Sequence, residues 1–217
     1  GLNFDASDVI FAGYNSLFGE INWFYPSSST NQINRVVTYN YLEGVWTVGS
    51  LARTTYYDKT VFDNPYATEY SENAVPTFPT IQGVTNVNGS STLYAHEKGN
   101  NQVNNTATTP VIGSIQSGDF EVTTQDGMGE FFIKVRRFIP DFRALTGNAQ
   151  VTINLKDFPS DTEASSSLGP FTISSTTQKV DTRARARAAS LKIENTTTNE
   201  TWRYGTFKAD TQMDGRR

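Results

Sequence analysis

The chain has 217 residues, enough for one or two domains with a real core, yet only 36% are hydrophobic, 12% are aromatic and 18% are charged. That balance, rich in Ser, Thr, Asn and Gly, points to a β-rich protein with long polar loops. The lack of cysteine excludes disulfides, thiol nucleophiles and Cys/His zinc sites, and no apolar run approaches the roughly 18 residues of a membrane helix.

The net charge of −4 conceals an asymmetry. Residues 1–110 hold 4 Lys and Arg against 9 acids, a balance of −5, whereas residues 111–217 hold 14 against 13, a balance of +1. The shift near Pro110 suggests two regions, 1–110 and 111–217; two faces of a single domain would give the same numbers. The first residues, Gly-Leu-Asn-Phe-Asp, carry no initiator Met, no basic segment and no apolar leader. They read as the start of a fragment or processed product rather than as a signal peptide.

Residues 8–14 (DVIFAGY) predict a first strand. Residues 19–51 organise the region around it, as three strands joined by two different turns. An apolar and aromatic run at 21–25 stops at Pro26, which has no N–H for a ladder. The polar loop 27–34 leads to a strand at 35–40, β-branched at Val36, Val37 and Thr38. A turn at 41–44 places Gly44 where a positive φ is cheap. The strand 45–48 then carries Trp46, expected in the core. A meander with a tyrosine before the turn and a tryptophan after it has the pattern of a propeller blade. Trp23, Tyr25, Tyr39 and Trp46 are its candidate structural residues.

A further strand is expected at 52–62. Residues 63–87 contain Pro65, Pro76 and Pro79 and predict a long irregular loop of functional or assembly type. A strand at 91–96, a polar loop at 97–109 and a long strand at 111–123 come next. Strands are then expected at 129–138, 149–155, 171–174, 176–188, 189–194 and 202–209. Val151, Ile153 and Leu155 should share one face. Short strands at this spacing suggest a β-sandwich-like second region, and no window has helical amphipathicity. The whole is expected to be all-β, propeller-type blade or blades followed by a sandwich-like region.

Residues suited to catalysis are scarce. His96 is the single histidine, and no Gly-x-Ser-x-Gly elbow accompanies it; a structural, hydrogen-bonded role is expected. Asp119, Glu121, Asp126 and Glu130 are close in sequence, but a solvated strand face explains them as well as an acid/base pair does. No phosphate-cradling loop or calcium-loop spacing occurs, so neither cofactor nor metal is expected. Sequons at Asn88, Asn104, Asn195 and Asn199 arise readily by chance in so Asn- and Thr-rich a chain.

The most marked constellation is Val-Asp-Thr-Arg-Ala-Arg-Ala-Arg at 180–187. On a strand, Arg183, Arg185 and Arg187 line one face, about 7 Å apart, with Thr182, Ala184 and Ala186 on the other. Three guanidinium groups so placed repel one another unless paired. Cross-strand acids, carboxylates of a neighbouring subunit and a phosphate backbone all remain candidates. Arg136 and Arg137 are added as possible interface residues.

Several stretches resemble one protein family: EINWFYPS at 20–27, VTYNY at 37–41, WTVGSLART at 46–54, LYAHE at 93–97, RFIPDF at 137–142, TRARAR at 182–187, WRYG at 202–205 and DGRR at 214–217. In order and over nearly the whole chain, they are similar to the C-terminal part of the tail hub or nozzle protein of short-tailed bacteriophages, also called the tail stabilisation or tail tubular protein. The resemblance implies a virion structural protein with propeller-like domains and no enzyme activity or cofactor. It implies a homo-oligomeric ring, expected as a hexamer, attached to the adaptor and tail fibre proteins, with DNA passing through it during genome ejection and no membrane anchor. A full subunit of this family is much longer, so either earlier blades precede Gly1 or the chain is a divergent short form. The alternative is a glycan-binding β module of a virion or cell surface, with Tyr56, Tyr57, Tyr66 and Tyr70 as sugar platforms; blade packing would account for the same tyrosines.

Overall fold

A computed structural model describes residues 1–71, 90–104, 107–121, 131–158 and 164–215. It is all-β: apart from the 3-10 helix Phe4–Val9, its described elements are strands. Most of the expected loop 63–87 lies outside the described residues. The chain divides into two compact units, Gly1–Gly99 and Asn100–Arg217.

The first unit holds β1 (Phe11–Asn15), β2 (Glu20–Tyr25), β3 (Arg35–Asn40), β4 (Val45–Gly49), β5 (Thr55–Tyr57), β6 (Tyr66–Ser71) and β7 (Ser90–Ala95). β1 to β4 form an antiparallel meander in chain order, and β5 to β7 form a second small sheet. Asp8 and Val9, expected in the first strand, instead end the 3-10 helix, because Asn3 caps it by accepting from the Asp5 N–H. Gly44 has φ +70° in the β3–β4 turn, as its position there requires. The expected strand 52–62 shrinks to three residues, of which only Tyr56 is partly buried.

Alternation sorts the meander into two faces. Phe11, Phe24 and Val36 lie on one, where Phe11 stacks on Phe24 at 4.9 Å and Tyr56 leans against Phe24 at 5.6 Å. Gly13 is essential to that approach, because a Cβ there would meet Tyr56 Cδ1 at 2.6 Å. Phe24, Ile33 and Val36 form the buried centre of this small core.

The second unit holds β8 (Asn101–Asn104), β9 (Ala107–Pro110), β10 (Ser114–Gln116), β11 (Ile133–Ile139), β12 (Phe142–Thr146), β13 (Ala149–Lys156), β14 (Ser166–Ile173), β15 (Val180–Ala186), β16 (Ala188–Glu194), β17 (Thr201–Tyr204) and β18 (Lys208–Met213). The sheets are β10-β16-β13-β14, β15-β11-β18, β12-β17 and the hairpin β8-β9. That hairpin replaces the polar loop expected at 97–109: its backbone pairs Gln102 with Thr109 and Val103 with Thr108, and no apolar alternation announces it. Of the long strand expected at 111–123, the described residues 111–121 form only Ser114–Gln116 and a bridge at Phe120.

One core serves both larger sheets. Val151, Ile153 and Leu155 share the buried face of β13, as their spacing predicts. They join Leu191 and Ile193 of β16 and Ile133, Val135 and Phe138 of β11 in a single cluster. Ala184 and Ala186 of β15 pair with Val135 and Ile133, so small residues face branched ones across the ladder.

Candidate functional site

Three constellations come out of this framework: the arginine face, an aromatic face, and a buried polar cluster.

The strand β15 holds Arg183 and Arg185 exposed, with Ala184 and Ala186 fully buried behind them. Arg187 comes next with the same orientation. The central strand β11 contributes Lys134, directly opposite Arg185. A bulge between Val135 and Arg137 exposes both Arg136 and Arg137. Pairing is partial. Arg185 Nε donates to Asp214 Oδ2 at 2.6 Å and its Nη2 to the Asp214 carbonyl. Arg137 Nε lies 3.6 Å from Asp181 and 3.7 Å from Asp210. All of these groups are half-exposed, so each pair contributes about 0–1 kcal/mol. Arg185 and Arg187 both lie over the ring of Phe132, at 4.1 and 4.7 Å. Lys134, Arg136 and Arg183 form no ion pair among the described residues. Arg136, Arg137, Arg183 and Arg185 thus belong to one sheet, with Arg187 just past the end of β15, and cross-strand acids take only some of the four.

The other face of the meander carries Ile21, Trp23 and Tyr25 from β2, Val37 and Tyr39 from β3, and Trp46 and Val48 from β4. Trp46 stacks on Tyr39 at 4.6 Å and on Trp23 at 5.7 Å. It is nevertheless 60% exposed, and Val48 is 68% exposed. The expectation that Trp46 is core is therefore corrected. Both faces of the meander bear aromatic residues, and the inward one is that of Phe24.

No sequence pattern announces the polar cluster. Arg53, 5% exposed, donates from Nη1 to Glu69 Oε2 at 2.9 Å and from Nε to His96 Nε2 at 2.9 Å, and lies 4.2 Å over the Tyr94 ring. Since the guanidinium can only donate, His96 accepts as a neutral imidazole with its proton on Nδ1. Burial, followed by the Arg53 charge, pulls His96 down to about 4. Next to it, the buried Asn15 donates to both Glu20, at 3.3 Å, and Glu97, at 3.2 Å. Burial raises both carboxyl groups; Glu43 raises Glu20 further, and Glu20 raises Glu97 further. Burial also pushes the Tyr56 phenol upward. The single histidine thus has the hydrogen-bonded role expected of it. Its partner is 43 residues away in sequence, and no local spacing signals it.

Other sequence candidates disperse. Asp119 pairs with Lys156 at 2.8 Å, Glu121 is exposed, and Asp126 and Glu130 lie outside the described residues. Of the sequons, Asn195 is buried and spans the Gly113 N–H and the Val111 carbonyl. Asn199 bonds Asn101, while Asn88 and the Asn104 side chain are outside the described residues. Among the glycan-platform tyrosines, Tyr56 is committed to packing on Phe24 and His96, and Tyr66 takes an edge contact from Phe62. Among the described residues no three His, Asp or Glu side chains gather as metal ligands, and no helix is long and apolar enough to cross a membrane.

Comparison with known proteins adds no relative: no family model matches the chain, and a search of curated proteins returns no significant match.

Proposed function

We propose that the chain is a structural assembly subunit, whose work is to pack against other β-sheets rather than to catalyse. More particularly, it fits a segment of the tail hub or nozzle of a short-tailed bacteriophage. There it would help form a homo-oligomeric ring around the DNA exit channel, attached to adaptor and tail fibre proteins. In this reading the β1–β4 meander is one propeller-type blade and the second unit is sandwich-like.

The observation that carries the proposal is the aromatic face of the meander. Trp46 and Val48 stand largely exposed on it beside Trp23 and Tyr39. The buried centre on the opposite side amounts to Phe24, Ile33 and Val36. A unit of this size gains little from so thin a core, and a flat aromatic face of this kind marks an interaction surface. In a propeller, the next blade covers it.

Negative-stain electron microscopy of the purified chain, with native mass spectrometry alongside, tests the reading. Closed rings of uniform copy number are the expected result. A stable monomer with saturable binding on a glycan array would overturn it in favour of a glycan-binding module.

A further inference from the structure

We propose that the outer face of the sheet β15-β11-β18 docks onto the acidic turn end of the first unit of a second copy of this chain. The proposal rests on the ring reading above and names the contact that would build the ring.

Among the described residues the sheet face carries more cations than acids. Lys134, Arg136, Arg137, Arg183 and Arg185 project from it, against Asp181, Asp210 and Asp214. Lys134 sits directly across from Arg185, and like charges in register across a ladder are destabilising. A sheet carrying such a pair is stabilised when carboxylates arrive from outside. The Phe132 ring holds two of the guanidinium planes in place, which lowers the conformational cost of meeting a partner. Ile139, exposed on the same strand as Arg137, gives the face an apolar margin that suits a protein surface better than a phosphate chain.

The complementary surface is on the same molecule. Residues 1–99 hold 4 Lys and Arg against 9 acids. Three segments meet at one end of this unit. The β1–β2 turn touches the β3–β4 turn through the bond from Tyr41 N–H to the Gly19 carbonyl, and it touches the segment after β5 through the bond from Ser16 N–H to Asp58. Asn64 ties that segment to the Glu97 carbonyl. Glu43, Asp58 and Asp63 lie on these segments, against the single cation Lys59, with Glu20 and Glu97 next to them through Asn15. Exposed among them are Phe18, Leu42, Val61 and Phe62, with Leu42 at 72% and Val61 at 92%. Acids set among bare apolar side chains match a basic sheet with an apolar margin. One surface meeting a different surface is a heterologous contact, which closes into a ring when the rotation permits.

Charge reversal on the full chain tests the pairing. One variant carries Arg136→Glu with Arg183→Glu; the other carries Glu43→Lys with Asp63→Lys. All four side chains are exposed, and circular dichroism with the His96 resonance checks folding. Sedimentation velocity should show wild-type association weakened by raised salt, and each variant alone weakened tenfold or more. An equimolar mixture of the two should regain assembly, because each variant's altered surface then meets its complement on the other. If both variants assemble like wild type, the pairing is wrong while the ring reading stands. If wild type stays monomeric at every concentration, the ring reading fails and the pairing with it. If the arginine variant assembles normally but loses a single-stranded DNA oligonucleotide that wild type binds, the face belongs to nucleic acid and the proposal is overturned.

Discussion

His96 offers the sharpest test of the buried polar cluster, because it is the only imidazole in the chain and its Cε1–H resonance needs no assignment. In the structure Nε2 accepts from Arg53 Nε at 2.9 Å, an arrangement that requires the neutral ring. Protonation would set an imidazolium against a guanidinium in a partly buried site, and the midpoint falls from the ordinary 6.5 to about 4. A folded value below the unfolded one means that stability present above pH 6.5 is lost as the pH falls from there toward 4. At 1.36 kcal/mol per unit the loss would be about 3 kcal/mol, and about 2 kcal/mol after allowing for solvent screening of a group this accessible. Glu20 and Glu97 act in the opposite sense. Their raised values give stability that is present below the ordinary carboxyl range and lost as the pH rises through their folded values. The His96→Gln variant isolates the imidazole term, since an amide keeps an acceptor and does not titrate. Urea unfolding across this pH window should show the drop in wild type and its absence in the variant. A heteronuclear NMR titration of wild type should place the midpoint near 4. A midpoint at 6 or above would refute the Arg53–His96 hydrogen bond and the neutral tautomer with it.

Two substitutions on opposite faces of the meander test which face is core. Phe24→Ala should cost about 3–5 kcal/mol in urea unfolding, whereas Trp46→Ala should cost about 0.5–1.5 kcal/mol in the monomer, the stacking on Tyr39 and Trp23 alone; equal losses would mean that both faces are buried. Gly13→Val should cost about 1–3 kcal/mol by forcing the Tyr56 ring off the strand; an unchanged unfolding midpoint would show that Tyr56 does not pack there.

The strands that the sequence announces are those whose two sides differ in polarity. In β13, buried Val151, Ile153 and Leu155 alternate with Thr152, Asn154 and Lys156, and the expected face is the buried one. β15 is legible for the same reason, with alanine and arginine alternating residue by residue. β8 and β9 are not, because a hairpin of Asn, Gln, Thr and Val has no apolar face, and its backbone pairing leaves no mark on residue type. The Arg53–His96–Glu69 cluster is invisible in the sequence because it assembles from three separate segments, and only the ladder between β6 and β7 brings Glu69 and His96 near each other.

The misplacement of Trp46 has a different cause, one that bears on function. Period-two patterning tells which residues share a face; it does not tell which face is inside. Phe11, Phe24 and Val36 mark one side of the meander, and Trp23, Tyr39, Trp46 and Val48 the other; the second set carries both tryptophans. By hydrophobicity alone, the second set is the better candidate for burial. The folded unit leaves Trp46 and Val48 of that set outside, with Trp23 and Tyr39 half-buried, and places Phe24 at the centre of a smaller core. On the proposed function, this open side is the one that a further β-sheet would cover. In this respect the aromatic face and the arginine face are alike. The first exposes apolar area that water disfavours, and the second holds like charges in register that the sheet itself disfavours. Either feature alone is tolerable on a solvated monomer. Their occurrence in one chain, one in each unit, favours a subunit that reaches its stable state only in the company of others.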